Sequence, residues 1–242
     1  VRCPISGPER PIRSAAIAAL FPAGVVAYEM RDEGDPATLL SDEAACLRRA
    51  APARLREFAA GRACARAGMR EFGVVDFALR VGAAREPLWP DALVGSIAHT
   101  DGLCAAVVAE RSRFAGLGLD CEPLDAVKPA LWQKICDVRE TAWLESLPAD
   151  EQRRGATLLF AVKEAFYKAQ FPLTGEWLGF HDVGVDVPQW DLQRGQTVLR
   201  ANRAIVLEAR AALWVTADYG FDARHVTAGI ALTSRPSRPG TP

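Results

Sequence analysis

Two carboxylates stand one residue apart in Gly116-Leu117-Gly118-Leu119-Asp120-Cys121-Glu122-Pro123. Side chains alternate along a strand, so Leu117, Leu119 and Cys121 share one face and Asp120 and Glu122 the other. At ~3.3 Å per residue their Cα atoms lie about 6–7 Å apart. Carboxylates that close repel unless a cation or a proton lies between them. Pro123 ends the strand just after them, which puts the pair at a sheet edge or cleft. The ordinary alternative is a solvated turn with two surface acids. In Leu159-Phe160-Ala161-Val162-Lys163-Glu164-Ala165-Phe166-Tyr167-Lys168-Ala169, Leu159, Val162, Phe166 and Ala169 form an apolar stripe at helical spacing. Glu164 and Lys168 are i, i+4 neighbours on another face, with Lys163 beside them. Such a pair is usually a surface ion pair, but three charges in a stretch otherwise apolar and aromatic suggest a partly enclosed site. His99 ends the apolar run Val94-Gly95-Ser96-Ile97-Ala98, before Thr100-Asp101-Gly102. A histidine there can hold a phosphate, or serve as a structural hydrogen-bonding group. His181 and His225 have no such company and receive no role.

The elements that must position these groups follow from periodicity and turn chemistry. A helical pattern runs from Ser41 to Met69, divided at Pro52, with Arg54, Arg62 and Arg66 on its second part. Strand-like runs are Val25–Tyr28, Val74–Val81, Leu93–Ala98, Leu103–Ala109 and Phe114–Glu122, and Asp101-Gly102 is a hairpin signal between two of them. Helical patterns return over Ala126–Ser146 and Leu158–Gln170. Further strands are expected at Val183–Val187, Val198–Ala201, Ala212–Tyr219 and Val226–Leu232. The order is helix then sheet, twice over. Ser-Arg-Pro-Ser-Arg-Pro-Gly-Thr-Pro after Thr233 has nothing to bury and reads as disordered.

Composition narrows the function. The 242 residues are half hydrophobic, enough for a real core. With 29 basic and 30 acidic residues the net charge is −1, unlike a general nucleic-acid binder. A few arginines in one pocket would leave no mark on that balance. Six cysteines occur without a CxxC pair. Cys46, Cys64 and Cys104 sit among alanines and valines and read as buried free thiols, in a cytoplasmic protein. Ala15–Phe21 imitates a signal peptide, but Pro22 and Gly24 break the run. No apolar stretch approaches the ~20 residues of a membrane helix.

Five segments taken in order carry a resemblance: Arg54-Leu55-Arg56-Glu57-Phe58 with Arg62, Arg85-Glu86-Pro87-x-Trp89-Pro90, Gly95-Ser96-x-x-His99, Gly118-x-Asp120-x-Glu122-Pro123, and Lys163-Glu164-Ala165-x-Tyr167-Lys168-Ala169 followed by Phe171 to Phe180. The chain resembles the 4′-phosphopantetheinyl transferase superfamily over roughly Val25 to Leu232. It is most similar to the siderophore-synthase branch of enterobactin-type and actinobacterial enzymes. The resemblance implies an α/β (α+β) fold of two similar, pseudo-twofold-related halves, here 1–113 and 114–233, with 234–242 as a tail. It implies coenzyme A held between the halves.

The implied metal ligands are Asp120, Glu122 and Glu164, a carboxylate set suited to Mg²⁺ (or Mn²⁺) with substrate phosphate. No His/Cys cluster favours zinc. The implied coenzyme A contacts are Arg54, Arg62, His99 and Thr100 around the 3′-phosphate, Arg85 near the adenine, and Lys163 and Lys168, the latter on the pyrophosphate. The implied reaction moves phosphopantetheine from coenzyme A to a serine of an apo acyl or peptidyl carrier protein and releases 3′,5′-ADP. Glu164, or a metal-bound water it holds, is the candidate base, and Lys168 the charge stabiliser. A monomer is implied. Siderophore, polyketide and nonribosomal peptide carriers all fit. The alternatives are a non-catalytic relative that binds carrier protein or coenzyme A, and another Mg²⁺-dependent phosphoryl transferase or nuclease. The second lacks a Walker glycine loop and a basic surface. The sequence departs from the family at Ala98, where serine or threonine is usual before the histidine. A hydroxyl there is expected to face the coenzyme A phosphates.

Overall fold

The computed structural model describes residues 10–31, 33–47, 50–203 and 215–233. The first half contains β1 (Ile12–Arg13), α1 (Ala15–Ala18), β2 (Val26–Met30), α2 (Ser41–Ala45) and α3 (Pro52–Arg70), then β3 (Leu93–Thr100) and β4 (Leu103–Glu110). Its antiparallel sheet has the order β1-β2-β4-β3. Pro52 opens α3, where its missing N–H costs nothing and its φ is already helical. Gly61 and Gly68 let α3 approach Ile97 of β3 and Val108 of β4. Thr100 pairs with Leu103 across the Asp101-Gly102 turn, with Gly102 at φ 71°, as that dipeptide indicates.

The second half contains β5 (Phe114–Pro123), α4 (Trp132–Ile135), α5 (Val138–Ser146) and α6 (Gln152–Thr174), then β6 (Val183–Asp186), β7 (Arg194–Ala201), β8 (Val215–Phe221) and β9 (His225–Thr233). Its sheet has the order β5-β9-β8-β7-β6, again antiparallel. The fold is thus mixed α and β, with two sheets each packed by one long helix. The single helix expected over Ala126–Ser146 is instead two, because Asp137 caps α5 in a box with Glu140. Among the described residues the strand expected at Val74–Val81 is absent, apart from a bridge between Val81 and Pro87. Leu79 explains the difference: its N–H donates to Glu43 (3.0 Å) and its carbonyl accepts from Arg62 (2.8 Å). Side chains of α2 and α3 therefore satisfy backbone groups that a neighbouring strand would otherwise take. Cys46 is exposed rather than buried, whereas Cys64 and Cys104 are buried thiols. The stretch beyond Thr233 lies outside the described residues.

β5 is the seam. Leu117, Leu119 and Cys121 are each at most 1% exposed and pack with Val94, Ala98 and Leu103 of the first half. Each leucine so buried contributes about 1.5–3 kcal/mol. Ser96 Oγ, on β3, accepts a hydrogen bond from the Leu119 N–H (3.0 Å) and ties the two edge strands together.

Candidate active site

The opposite face of β5 carries Gly116, Gly118, Asp120 and Glu122. A Cβ on Gly118 would lie 1.8 Å from the Ala165 carbonyl oxygen, and one on Gly116 would lie 2.4 Å from that of Ala169. Only glycine lets α6 lie directly on this face. The same contact aims Glu164 and Lys168 at the acids further along the strand. Lys168 Nζ donates to Asp120 Oδ1 (2.6 Å) and to the Leu119 carbonyl (3.1 Å). Asp120 Oδ2 is buried and has no hydrogen-bond partner.

Burial pushes the Asp120 carboxyl up, and the Lys168 ammonium only partly offsets this. Burial, Asp120 and Glu164 together push Glu122 up to about 7. Glu164 is raised by burial and then by Asp120. Burial by itself would lower Lys168, but Asp120 and Glu164 outweigh it and keep the ammonium firmly protonated. The three acids therefore feel one another's charge, and one lysine does not neutralise them. Among the described residues no three His, Cys, Asp or Glu side chains form a closed metal cluster. The bare Asp120 Oδ2 with Glu122 nearby instead offers an open, oxygen-only donor set, which suits a hard cation that completes its shell with water and substrate.

Arg54 and His99 meet on the first half. Arg54 Nη1 contacts His99 Nε2 and donates to Glu57 Oε2 (3.1 Å), and the imidazole lies 3.4 Å from the same carboxylate. Burial, then Arg54, lowers the His99 pKa, so the ring accepts from the guanidinium at neutral pH. The charges of Lys168 and Asp120 also act on the His99 ring, more weakly than burial, Arg54 and Glu57. Arg62 lies two turns along α3 from Arg54. It is buried, held by the Leu79 carbonyl and stacked 3.9 Å over the Phe58 ring. Burial lowers it to about 10, so it stays charged at neutral pH. Arg85 sits at φ 72° in the turn Gly82–Glu86, exposed on the rim. Thr100 ends β3, half-buried.

Two of the expected placements differ. Lys163 does not join Lys168: its ammonium donates to the Ile135 carbonyl (2.7 Å), Glu140 (2.7 Å) and the Phe180 carbonyl (2.8 Å). All three of its protons are used inside the second half, leaving none for a phosphate. A helix turns about 100° per residue, so Lys163 and Glu164 face different surroundings. Ala98 faces the core, 1% exposed, because strand alternation turns it away from His99.

Two depressions meet at Glu164 and Tyr167. One, about 230 Å³, lies between the halves and is lined by Arg85, Trp89, Ser96, Lys168 and Phe171 besides those two. The other, about 220 Å³, runs along Phe166, Trp177, Leu178 and Phe180. Tyr167 contacts Phe171 and Trp177, with ring centroids 5.2 and 5.1 Å apart. Sequence reasoning gave no role to Tyr167, Trp177, Glu57 or Ser96. Spacing offered a signal for Tyr167 and Phe171 (i, i+4) and for Arg54 and Glu57 (i, i+3), whereas Ser96 stood out only as part of Gly95-Ser96-x-x-His99.

Residues 42–109 match the 4'-phosphopantetheinyl transferase N-terminal domain family, and residues 116–221 match the 4'-phosphopantetheinyl transferase superfamily. The chain is 34% identical over 169 residues to 4'-phosphopantetheinyl transferase Npt of Nocardia iowensis, covering 70% of this chain and 75% of that protein. It is 36% identical over 174 residues to 4'-phosphopantetheinyl transferase PptT of Mycobacterium tuberculosis, covering 70% and 76%. Enterobactin synthase component D of Escherichia coli is 30% identical over 132 residues, covering 51% and 58%. With both halves matched and the Npt and PptT relatives each covered over more than two thirds of their length, the chain belongs to the 4'-phosphopantetheinyl transferase superfamily and is a transferase.

Proposed function

We propose that the cleft binds coenzyme A with Mg²⁺ and that the enzyme moves the phosphopantetheine arm to a serine of an apo acyl or peptidyl carrier protein. The observation that carries this reading is the junction at Glu164. A cleft with Arg85 on its rim and an aromatic groove meet there, beside Lys168, whose ammonium is bonded to Asp120. Coenzyme A has the matching shape, with a pyrophosphate between a phosphorylated nucleotide and a largely apolar arm. The nucleotide would lie toward Arg85, and the arm along Tyr167, Trp177 and Leu178.

Asp120 and Glu122 would hold the Mg²⁺, and Mn²⁺ fits the same donors. When bound, the ion offsets charge on the pyrophosphate oxygens. Lys168, held against Asp120, adds positive charge beside the leaving phosphate. The serine oxygen forms a new bond to the phosphorus that bears the pantetheine, and the bond from that phosphorus to 3′,5′-ADP breaks. Glu164 accepts the serine proton, because its raised pKa brings it toward working pH. Glu164, the third carboxylate of the expected metal set, is assigned in this reading to the proton and not to the ion. Arg54 and His99 take the 3′-phosphate, with the Arg62 charge behind them and Thr100 beside them. Arginine suits that dianion because its planar fork donates two parallel bonds.

The division at residues 113 and 114 then separates nucleotide binding from metal and pyrophosphate binding. A monomer as the working unit is part of this reading. The buried free thiols Cys64, Cys104, Cys121 and Cys136 suit a reducing compartment such as the cytoplasm. Among the described residues no helix is long and apolar enough to cross a membrane. The test is to incubate the protein with coenzyme A, Mg²⁺ and an apo carrier protein from a siderophore, polyketide or nonribosomal peptide synthase, then to weigh the carrier. A gain of one phosphopantetheine is expected. Unchanged mass across all three carriers would sink the proposal.

A further inference from the structure

The geometry points to His225 as a positioning residue that pins the β3–β4 turn, and with it His99, against the metal-binding end of β5. The functional consequence rests on the reading of Arg54 and His99 as the 3′-phosphate contacts. His225 opens β9 and pairs with Pro123, the residue after Glu122. Its side chain is buried, and Nε2 lies 2.8 Å from the Asp101 carbonyl oxygen in the β3–β4 turn. A carbonyl oxygen only accepts, so Nε2 carries a proton and donates it. Asp101 is two residues beyond His99, so this bond crosses from one half to the other at the level of the phosphate contacts.

The turn that presents His225 is itself braced. Asp222 Oδ1 accepts from the N–H groups of Arg224 and His225, both at 2.7 Å. The Leu124 N–H donates to the Arg224 carbonyl (2.8 Å), tying the same turn to the chain just past β5. Asp222 Oδ2 accepts from Arg31 Nη2 (3.1 Å), and Arg31 Nε donates to Glu29 of β2 (3.1 Å). The β8–β9 turn therefore grips the first sheet at two points, the end of β2 and the β3–β4 turn.

The purpose of such a grip follows from the ligand. Arg54 and His99 belong to one half and Asp120 and Glu122 to the other, yet one molecule must touch both. The span from 3′-phosphate to pyrophosphate is set by covalent bonds, so the protein must hold its two halves at a matching separation. The Ser96–Leu119 bond fixes the strands at mid-length. The His225–Asp101 bond fixes their tips, and two points set an angle where one does not. Small misplacements of substrate-holding groups cost much in binding and rate.

The test compares His225→Leu, which removes the donor, with His225→Gln, whose amide N–H can reach the same carbonyl. His225→Leu is expected to raise the KM for coenzyme A about ten-fold, with kcat changed less than about two-fold. It should also speed deuterium uptake over residues 99–103. His225→Gln should restore both toward wild type while melting at a similar temperature to His225→Leu. Should His225→Leu fail to fold, His225→Asn, too short to reach Asp101, takes its place. Unchanged KM and unchanged exchange in the variant lacking the donor would overturn the clamp, as would equal impairment in His225→Gln. Wild-type protein that binds dephospho-coenzyme A as tightly as coenzyme A would instead sink the 3′-phosphate reading. The exchange comparison would still decide the clamp.

Discussion

The Lys168 ammonium lies 2.6 Å from Asp120 Oδ1, across the face of β5 that Gly116 and Gly118 keep clear for α6. The pair leaves Asp120 Oδ2 buried and bare. Asp120→Asn keeps the shape and an acceptor for Lys168 but removes the charge. Transfer is expected to fall at least about 100-fold, the usual cost of one charge-stabilising group. The rise in melting temperature on adding Mg²⁺ should disappear as well. Activity near wild type would remove Asp120 from the proposed metal site.

Arg54 is set by Glu57 and His99, whereas Arg62 is committed to Leu79 and Phe58. Arg54→Ala should raise the KM for coenzyme A about ten- to a hundred-fold, as expected for a lost bond to a charged group. The KM for dephospho-coenzyme A should hardly move. Arg62→Ala should in addition cost about 1–3 kcal/mol of stability through the unpaired Leu79 carbonyl, read by urea unfolding. Equal losses on both substrates in Arg54→Ala would mean that Arg54 serves structure or the carrier instead.

Glu122 is raised from 4.5 to about 7 by burial first, then by Asp120. Between those values the folded protein binds a proton that the unfolded chain has released, so stability falls as pH rises through this window. Metal-free protein should therefore show a falling melting temperature from about pH 5 to about pH 8. Glu122→Gln should flatten that slope. Mg²⁺ should raise the melting temperature more at the alkaline end, where no proton competes for the carboxylate. A slope identical in Glu122→Gln would assign the titration to another group.

Ala98 stands where a hydroxyl was expected to meet the phosphates, but its side chain lies in the core shared with Leu103 and Leu117. Ala98→Ser should leave the KM for coenzyme A unchanged and cost about 1–3 kcal/mol by burying a hydroxyl without a partner. A coenzyme A titration and a urea melt on the two proteins suffice. A several-fold lower KM would return this side chain to the ligand.

Much of the site was legible because local periodicity decides which side chains share a face. Alternation put Asp120 and Glu122 together on β5, and the i, i+4 rule put Glu164 above Lys168 on α6. Asp101-Gly102 announced its hairpin because a tight two-residue turn needs positive φ. The ordered motifs by themselves carry the family resemblance. Periodicity does not say which face another element will cover, and each departure came from a partner distant in sequence. Lys163 adjoins Glu164 but is consumed by Glu140 and two carbonyls. Val74–Val81 has the composition of a strand, yet Glu43 and Arg62 occupy the backbone groups of Leu79. His225 had no local company, and its partner Asp101 lies 124 residues away. The sequence by itself determined the family, the two helix-and-sheet halves and the acids on one strand face. Only the tertiary structure decided which charges stay open to a ligand, because a buried polar group is satisfied by whichever partner folding brings within about 3 Å.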